Sequence, residues 1–323
     1  MINRRALVLS AVLLLSFAAH ALAQFETRAS VPVLSSPYSV ALGDFNRDGK
    51  LDLAVVAFSS GKVAVLLGNG DGTFRPPTYY DAVASSIASA DLRNNGVLDL
   101  LLTDNLSNNL QVLLGNGDGT FGASAFYPTP DFPNLIAVGD FNGDHKVDVL
   151  TVDQSGFCPC ISVLFGNGDG TFQEPPINTM PPDAAVGIGL GDFNRDGKLD
   201  LVTVGQFGSA SEAGVLLGNG DGTFQAARNF GAGTNPISVA VGDFNGDGRP
   251  DLAVANYGSD SVSVLTGNGD GTFQAALNYG AGSNPYSVAV GDFNGDGKPD
   301  LAVADFHAFT GSGSVTVLIN NTP

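Results

Sequence analysis

Apolar residues along this chain occur mostly in short runs, separated by loops rich in glycine, asparagine and aspartate. Almost no segment shows the sustained 3.6-residue period that an amphipathic helix requires. Asn-Gly and Asp-Gly pairs stand between many of the apolar runs, and both favour the positive φ of tight hairpin turns. The pattern therefore predicts an all-β protein built from antiparallel hairpins.

An acidic loop, seen as GDFNRDGKLDLAVV at 43–56, recurs along the whole chain. Its six copies are separated by 47, 49, 52, 51 and 49 residues and begin at Asp44, Asp91, Asp140, Asp192, Asp243 and Asp292. A second motif, GNGDGTF, ends at Phe74, Phe121, Phe172, Phe224 and Phe273. Each unit then holds four strands, which is typical of a β-propeller blade. The second strand of each unit, apolar at nearly every position, is expected to be buried on both faces.

The two ends of the chain predict a closed ring. The sixth unit stops at VTVLIN (315–320), before any fourth strand. The N-terminal sequence QFETRASVPVLSSPYSV aligns with the fourth-strand region TFQAALNYGAGSNPYSV at 272–288. We therefore expect a six-bladed propeller in which the strand around Phe25–Val33 completes the last blade beside Val315–Ile319 and removes the open sheet edges.

Residues 1–23 have the features of a secretory signal: a basic start, an apolar stretch and a small-residue ending, Ala21-Leu22-Ala23. Cleavage before Gln24 would leave residues 24–323 as one exported propeller domain without a membrane span. Loss of the two arginines of the signal changes the formal charge from −18 to −20. That acidity excludes nucleic acid and anionic membranes as partners, because both require basic patches.

Each acidic loop has the donor pattern of a calcium site. Numbered from its first aspartate as D-F-N-R-D-G-K-L-D, it carries oxygen side chains at positions 1, 3, 5 and 9, a glycine at position 6 and a usable backbone carbonyl at position 7. Hard oxygen donors without His or Cys favour calcium over zinc. We expect about five structural calcium ions, one in each loop that keeps the set. The ligand sets are Asp44, Asn46, Asp48, Lys50 and Asp52; Asp140, Asn142, Asp144, Lys146 and Asp148; Asp192, Asn194, Asp196, Lys198 and Asp200; Asp243, Asn245, Asp247, Arg249 and Asp251; and Asp292, Asn294, Asp296, Lys298 and Asp300, with the basic residue acting through its carbonyl.

Two loops depart from this pattern. In the second loop, DLRNNGVLD, Arg93 takes a ligand position, so we expect weak or no metal at Asp91, Asn95 and Asp99 and a tethered positive charge from Arg93 instead. In the third loop, His145 replaces the glycine, and the site is expected to persist because histidine tolerates positive φ. The alternative for all loops is a set of Asx turns, in which Asp and Asn bond their own backbone. Three converging carboxylates would then need another counter-charge.

The chain resembles the FG-GAP/VCBS repeat family, the propeller type of integrin α-chain heads and of many secreted bacterial proteins. NFGAG at 229–233 and NYGAG at 278–282 resemble the signature of that family. The resemblance covers essentially all of residues 24–323. It implies that the acidic loops join strands 1 and 2 and bind calcium, and that the protein has an adhesion-like role. Integrin heads have seven blades, so a six-bladed ring departs from them and an integrin-like mode of ligand binding does not follow.

The alternation of strand direction assigns the loops to two faces. The acidic loops and the GNGDGTF turns share one face and barely vary, whereas the opposite face carries variable loops. Aromatics beside amides and carboxylates suit a carbohydrate or an extracellular protein as ligand, and simple loop drift is the alternative. The candidate ligand residues are Phe58, Asp104, Asn105, Asp153, Gln154, Gln206, Asn256, Tyr257, Asp305, Phe306 and His307.

The sequence favours binding over catalysis. Residues 24–323 contain two histidines, and they show no nucleophile elbow, phosphate loop or His-rich metal cluster. The alternative is a glycan hydrolase or lyase that uses Asp104, Asp153 and Asp305 at the channel mouth. A third interpretation is a purely structural module of a surface complex. Cys158 and Cys160 are either a tight local disulfide or free thiols.

Overall fold

The computed structural model describes residues 37–153, 160–179, 185–207, 210–305 and 314–322. These residues form 23 β-strands and one 3₁₀ turn, Phe58–Ser60, and contain no α-helix. The prediction of an all-β protein is therefore confirmed. No helix within the described ranges is long and apolar enough to span a bilayer.

The strands form six antiparallel sheets, each built from strands that are consecutive in the chain. The first sheet contains β1 (Pro37–Gly43), β2 (Asp52–Ala57), β3 (Lys62–Leu66) and β4 (Thr78–Asp81). The second contains β5 (Ser86–Ala90), β6 (Asp99–Asp104), β7 (Asn109–Gly115) and β8 (Phe121–Pro128). The third contains β9 (Pro133–Gly139), β10 (Asp148–Asp153), β11 (Cys160–Leu164) and β12 (Ile177–Thr179).

The other three sheets repeat this arrangement. The fourth contains β13 (Gly187–Gly191), β14 (Asp200–Phe207), β15 (Ala210–Leu216) and β16 (Arg228–Gly231). The fifth contains β17 (Pro236–Gly242), β18 (Asp251–Asn256), β19 (Ser261–Leu265) and β20 (Leu277–Gly280). The sixth contains β21 (Pro285–Gly291), β22 (Asp300–Asp305) and β23 (Ser314–Leu318), three strands within the described ranges. The predicted fourth strand, Phe25–Val33, lies outside the described residues, so ring closure stays a prediction.

Consecutive sheets lie side by side around separate apolar cores. The first strand of each sheet contacts the first strand of the next, from β1 through to β21. Each of the five junctions between neighbouring sheets holds one cluster of buried apolar side chains. This arrangement of six blade-like sheets is that of a propeller.

The second strand is deeply buried in the sheets that have a neighbour on both sides. Every residue of β6, β10 and β18 is buried, because each of these strands is flanked by two paired strands and packs against a core on both faces. The expectation that this strand would be buried on both faces is confirmed in the second to fifth sheets, whereas β2 and β22 of the first and sixth sheets keep partly exposed residues. Cys160 is buried at the start of β11, whereas Cys158 lies outside the described residues.

Candidate functional site

The acidic loops close the hairpin between the first two strands of each sheet. In the first sheet, Gly43 pairs with Asp52, so that residues 44–51 form the connection. The Asp48 and Gly49 N–H groups donate to the two carboxylate oxygens of Asp44, at 3.0 and 2.8 Å. Asn46 Oδ1 accepts from Asp48 N–H, and Asp48 Oδ1 accepts from Lys50 N–H, each at 3.0 Å. The Asx-turn bonds of the alternative interpretation are therefore present, but each leaves further lone pairs on the same oxygens.

The aspartate at position 9 is buried and joins two loops. In the first sheet, Asp52 Oδ2 accepts from Phe45 N–H at 2.8 Å, and Oδ1 accepts from Gly68 N–H of the GNGDGTF turn at 2.7 Å. The same pair of backbone donors meets the position 9 aspartate of the other sheets, namely Asp99, Asp148, Asp200, Asp251 and Asp300. The acidic loops and the turns therefore share one face, as predicted. Position 9 also has a structural role that the ligand pattern did not reveal.

Two positions of the loop have a left-handed backbone. Position 6 has positive φ, at 79° for Gly49 and at 63° for His145, which confirms that histidine is tolerated there. Position 4 also has positive φ, at 60° for Arg47 and 63° for Arg195. The sequence analysis missed this second position, although three of the six loops carry glycine there. Arg47 and Arg195 therefore have a backbone conformation that is uncommon for residues other than glycine.

Position 2 carries an apolar side chain that anchors the loop to the core. Phe45 is buried, and its ring lies 5.7 Å from that of Phe121 on the second sheet. The carbonyl of Phe45 accepts from Gly119 N–H in the turn of that sheet, at 3.0 Å. The same bond joins Phe141 to Gly222 and Phe193 to Gly271, so the first, third and fourth loops are attached both to their own turn and to the next sheet. The repeated Phe at position 2 was the signal for this contact in the sequence.

The second loop contains a buried ion pair in place of the usual ligand set. Arg93 Nη2 lies 2.6 Å from Asp99 Oδ1 and donates to the carbonyl of Gly115 at 2.7 Å. Asp99 is fully buried. The prediction that Arg93 supplies a tethered positive charge is therefore confirmed, and that charge faces the position 9 carboxylate.

Burial and mutual repulsion shape the charges of the other loops. Burial above all, together with the charges of Asp144 and Asp140, raises the pKa of Asp148 to about 6. The pKa values of Asp200 and Asp251 are raised for the same reasons. In the GNGDGTF turns, the threonine hydroxyl lowers the pKa of the aspartate, as for Asp71 beside Thr73. The turn aspartates are therefore the more readily ionised carboxylates of this face, whereas the buried Asp148, Asp200 and Asp251 hold their protons more tightly.

The fit of a cation to these loops depends on both side-chain and backbone oxygens. Within the described ranges, no three His, Cys, Asp or Glu side chains are arranged to hold a metal by themselves. Each loop adds an asparagine oxygen and a carbonyl to its carboxylates, which is the mixed oxygen set that calcium accepts. In the second loop, the guanidinium of Arg93 lies beside the position 9 carboxylate, so this place in the fold accommodates a positive charge. The donor set therefore fits a hard divalent cation.

The structure buries several residues that were predicted to face a ligand. Asp104, Asp153, Asn256 and Asp305, each at or near the end of a second strand, are almost wholly inaccessible. The prediction that these four side chains are presented to a ligand is therefore wrong. Phe58, Asn105 and Tyr257 are half-buried. Gln154, Phe306 and His307 lie outside the described residues, and for Gln206 only the backbone, within β14, is described.

These buried carboxylates have local partners on one oxygen each, whereas Oδ1 of Asp153, Asn256 and Asp305 is buried without a hydrogen-bond partner. Asp104 Oδ1 accepts from the N–H groups of Leu106 and Ser107 and so stabilises the turn that follows. Asp305 Oδ2 accepts from the hydroxyls of Ser314 and Thr316 on β23, at 3.0 and 2.8 Å. Asp153 Oδ2 accepts from Ser162 Oγ at 3.1 Å, and burial raises the pKa of Asp153 to about 7. These carboxylates therefore contribute to packing between neighbouring strands of their own sheets.

Aromatic side chains remain exposed on the face opposite the acidic loops. Tyr257 and Tyr286 lie edge to face, with ring centroids 6.5 Å apart, and Tyr286 is 56% exposed. Asn284 Nδ2 donates to the carbonyl of Tyr257 at 3.3 Å and fixes the loop beside the rings. Tyr38 and Phe58 form a second pair at 5.9 Å. This face therefore presents two aromatic pairs beside amides.

The repeat pattern decides the family. The profile of the FG-GAP-like repeat family matches five consecutive segments, which together span residues 44–303: 44–102, 91–151, 140–203, 204–254 and 243–303. The chain belongs to this family. These FG-GAP-like repeats coincide with the hairpins and acidic loops described above. No curated protein matches the chain significantly.

Solved structures with a similar fold have diverse functions. The periplasmic gluconolactonase PpgL of Pseudomonas aeruginosa is 20% identical, with 78% of this chain and 72% of that chain covered and a TM-score of 0.59. BBS1N, solved in complex with ARL6DN, is 14% identical, with 84% and 77% covered and a TM-score of 0.58. The PQQ-bound aldose sugar dehydrogenase of Streptomyces coelicolor is 14% identical, with 88% and 94% covered and a TM-score of 0.53. At these identities the likeness shows the fold alone.

Proposed function

We propose that this FG-GAP-like protein is an exported, calcium-stabilised propeller that binds an extracellular protein or carbohydrate without catalysing a reaction. The observation that carries the calcium part is the Arg93–Asp99 ion pair. In the second loop, position 3 is Arg93 instead of asparagine, and its guanidinium lies beside the buried carboxylate of Asp99. In the five other loops, a calcium ion would supply that positive charge.

The calcium would be held by residues of each intact loop. In the first loop, the side-chain oxygens of Asp44, Asn46 and Asp48 surround the same turn, and Asp52 lies behind them. Bound calcium supplies charge neutralisation and cross-links the loop. The chain itself supplies the buried hairpin on which the ion would rest. Because the ion would bind only the folded loop, its binding would add to the stability of the fold.

The proposal includes a closed ring of six blades. Val40 on β1 is 56% exposed, although the equivalent Val239 and Val288 are 9% and 7% exposed. Val315 on β23 is 58% exposed, whereas the equivalent Val262 is fully buried. Packing of the first sheet against the sixth would bury these side chains as their equivalents are buried at the other junctions. This supports closure of the ring between those two sheets.

The candidate ligand surface is the aromatic pair Tyr257 and Tyr286. Exposed aromatic rings beside amides bind sugar rings and protein side chains with little loss of conformational entropy. The opposite face consists of the acidic loops and the GNGDGTF turns, whose sequences are nearly the same in every repeat. The face on which the repeats differ is therefore the better candidate for recognition.

A binding array on residues 24–323 tests this proposal. Glycans and extracellular proteins that bind in calcium should lose binding when Tyr257→Ala and Tyr286→Ala are combined. Tyr79→Ala is the matched control, because Tyr79 is exposed on the outer strand β4, away from the pair. Binding that both variants retain would exclude the aromatic pair as the ligand surface.

A glycan hydrolase or lyase is the second candidate function. Enzymes such as the gluconolactonase and the sugar dehydrogenase above share this fold, so the fold itself is compatible with catalysis. A polysaccharide panel separates the two candidates. New reducing ends or unsaturated products formed by the purified chain would establish catalysis and contradict the non-catalytic proposal.

A further inference from the structure

The second acidic loop contains an Asn-Gly pair, Asn95-Gly96, at its positions 5 and 6. Both residues are exposed, so water reaches them. Gly96 has a φ of 76° and no Cβ to shield its backbone nitrogen. That nitrogen adjoins the side-chain carbonyl of the preceding asparagine, so an attack by the one on the other is intramolecular and needs no encounter between molecules.

The nitrogen of Gly96 is held by a carboxylate. Gly96 N–H donates to Asp91 Oδ2 at 2.6 Å, which is a short, charge-assisted bond. Asp91 Oδ1 accepts from the N–H of Asn95 at 3.1 Å, so both oxygens of the carboxylate face the pair. A carboxylate within hydrogen-bond reach of the proton to be removed meets the geometric requirement of a general base.

The side-chain carbonyl of Asn95 is polarised at the same time. Its Oδ1 accepts from Val97 N–H at 2.9 Å. Arg47 of the first loop adjoins the pair, because its Nη2 would lie 3.7 Å from a Cβ added at Gly96. A hydrogen-bond donor and a nearby cation stabilise the negative charge that develops on a carbonyl oxygen under attack. Base, nucleophile and polarised carbonyl therefore meet at one peptide bond.

We propose that Asn95 is a site of spontaneous deamidation, in which Gly96 N attacks Asn95 Cγ and Asp91 acts as the base. The N–Cγ bond forms, and the Cγ–Nδ2 bond breaks. The proton of Gly96 N passes to the Asp91 carboxylate and from there to the departing amine, which leaves as ammonia. Water then opens the cyclic imide at either of its carbonyls and gives aspartate or isoaspartate in place of the asparagine.

The product changes the second loop at the position where it differs from the others in charge. Aspartate there supplies the position 5 carboxylate that the five other loops carry and this loop lacks. Isoaspartate instead adds one carbon to the backbone between the donors that contact Asp91 and the buried Val97. Either product adds a negative charge to a loop in which Arg93 already neutralises Asp99.

Three intact loops hold an Asn-Gly pair in similar contacts, at positions 3 and 4. In the third loop, Gly143 N–H donates to Asp140 Oδ1 at 2.7 Å, and Asn142 Oδ1 accepts from Asp144 N–H at 2.9 Å. The equivalent asparagines are Asn245 and Asn294. Under the proposed function, a calcium ion would engage the carboxylate that acts as the base in these loops. The choice of Asn95 among the four therefore rests on that proposed function.

The GNGDGTF turns provide matched controls within the same chain. Each contains an Asn-Gly pair, but its asparagine Nδ2 donates to a threonine hydroxyl, as Asn69 does to Thr73 at 2.8 Å. The turn aspartate accepts from the same threonine, as Asp71 Oδ1 does from the Thr73 N–H and hydroxyl. The turn carboxylate is thus committed to the threonine. The five turn asparagines are Asn69, Asn116, Asn167, Asn219 and Asn268.

The experiment compares the folded chain, residues 24–323 in saturating calcium, with the same chain in urea. Peptide mapping by mass spectrometry measures aspartate and isoaspartate at each Asn-Gly pair over time. In urea the pairs are equally exposed and should react at similar rates. Folding should raise the rate at Asn95 and lower it at the five turn asparagines. A folded chain in which Asn95 reacts no faster than it does in urea would overturn the proposal.

Asp91→Asn tests the base. It should slow deamidation of Asn95 in the folded chain by about 100-fold or more, the usual contribution of a positioned general base. Asp118→Asn is the matched control, because Asp118 belongs to the turn of the same sheet and accepts from Thr120. The control should leave the rate at Asn95 unchanged. An unchanged rate in Asp91→Asn, with an intact circular dichroism spectrum, would overturn the role of Asp91.

The same peptide maps separate this inference from the calcium proposal. Deamidation of Asn142, Asn245 and Asn294 in saturating calcium, as fast as that of Asn95, would support the chemistry and contradict calcium binding in those loops. Slow reaction at all four asparagines of the folded chain, with calcium bound, would overturn the deamidation of Asn95 and leave the calcium proposal standing.

Discussion

Arg93 and Asp99 form an ion pair inside the second acidic loop, with 2.6 Å between Nη2 and Oδ1 and no solvent exposure of the carboxylate. The equivalent aspartates of the other loops are also buried and accept two backbone N–H groups each, as Asp52 does. Those loops carry asparagine at position 3, where the second loop carries Arg93. The second loop has a guanidinium beside its buried aspartate, and the other five loops have none at that position. This difference is the basis of the calcium proposal.

Replacing Arg93 should leave the buried Asp99 carboxylate without its counter-charge. Arg93→Met removes the guanidinium from Asp99, and breaking a buried pair in this way destabilises a protein by about 3–5 kcal/mol. Arg75→Met is the control, because Arg75 is exposed and lies 3.9 Å from Asp48. That surface pair contributes about 0–1 kcal/mol. Urea unfolding of both variants measures the difference, and equal stabilities would contradict the role assigned to Arg93.

The intact and degenerate loops should differ in their response to the same substitution. Asp196→Ala removes a proposed ligand and should lower the number of bound calcium ions by one. Asp91→Ala removes the acceptor of the Asn95 and Gly96 N–H groups and should leave that number unchanged. Calcium content after gel filtration measures both. A loss of one ion in Asp91→Ala would show that the second loop binds metal after all.

Asp153 should make stability depend on pH. Burial raises its pKa to about 7 from an ordinary value of 3.8, so the folded chain holds a proton that the unfolded chain has lost. Stability should therefore fall as the pH rises from about 4 to about 7, by about 4 kcal/mol at most, since each pKa unit corresponds to about 1.4 kcal/mol. Asp153→Asn should be more stable than the unaltered chain at pH 8 and should lose this slope.

The control for Asp153 is a nearby exposed carboxylate. The charge of Asp131 contributes to the raised pKa of Asp153, but Asp131 itself is exposed. Asp131→Asn should change the pH slope far less than Asp153→Asn does. Thermal unfolding at saturating calcium, from pH 5 to pH 8, compares the variants. An unaltered slope in Asp153→Asn would show that the carboxylate does not titrate as described.

The second glycine of NYGAG should be intolerant of a side chain, whereas the first should not be. A Cβ added at Gly282 would fall within the van der Waals radius of the Asp305 carboxylate, but one added at Gly280 would have no neighbour within 4 Å. Gly282→Ala should therefore destabilise the protein by about 1–3 kcal/mol, the usual effect of overpacking. Gly280→Ala is the control and should be nearly neutral. Partial rescue of Gly282→Ala by Asp305→Ser would confirm the cause.

The repeat architecture could be predicted from the sequence because its signals are local. The regular spacing from Asp44 to Asp292 and the Asn-Gly and Asp-Gly pairs located the hairpins without any knowledge of tertiary contacts. The tolerance of His145 for positive φ followed from a single-residue property. The cation beside Asp99 could be foreseen because Arg93 stands in the same nine-residue loop.

Features that depend on contacts between distant segments could not be predicted. Asp153 and Asp305 were placed on the ligand face because they follow apolar strands, but hydroxyls on the neighbouring strand, from Ser162 and Thr316, hold them inside. The two backbone donors to Asp52 come from different loops, so its role in joining them is not visible in the nine-residue pattern. Such pairings become apparent only when the hairpins are assembled.

The most direct test of the central claim is the calcium content of a chain spanning residues 24–323, together with its melting temperature. After saturation with calcium and removal of free ions, elemental analysis should find about five calcium ions per chain. EGTA should lower the melting temperature substantially, because each site filled at 100 times its Kd adds about 2.7 kcal/mol to the stability of the fold. A chain with no bound calcium and an unchanged melting curve in EGTA would contradict the account.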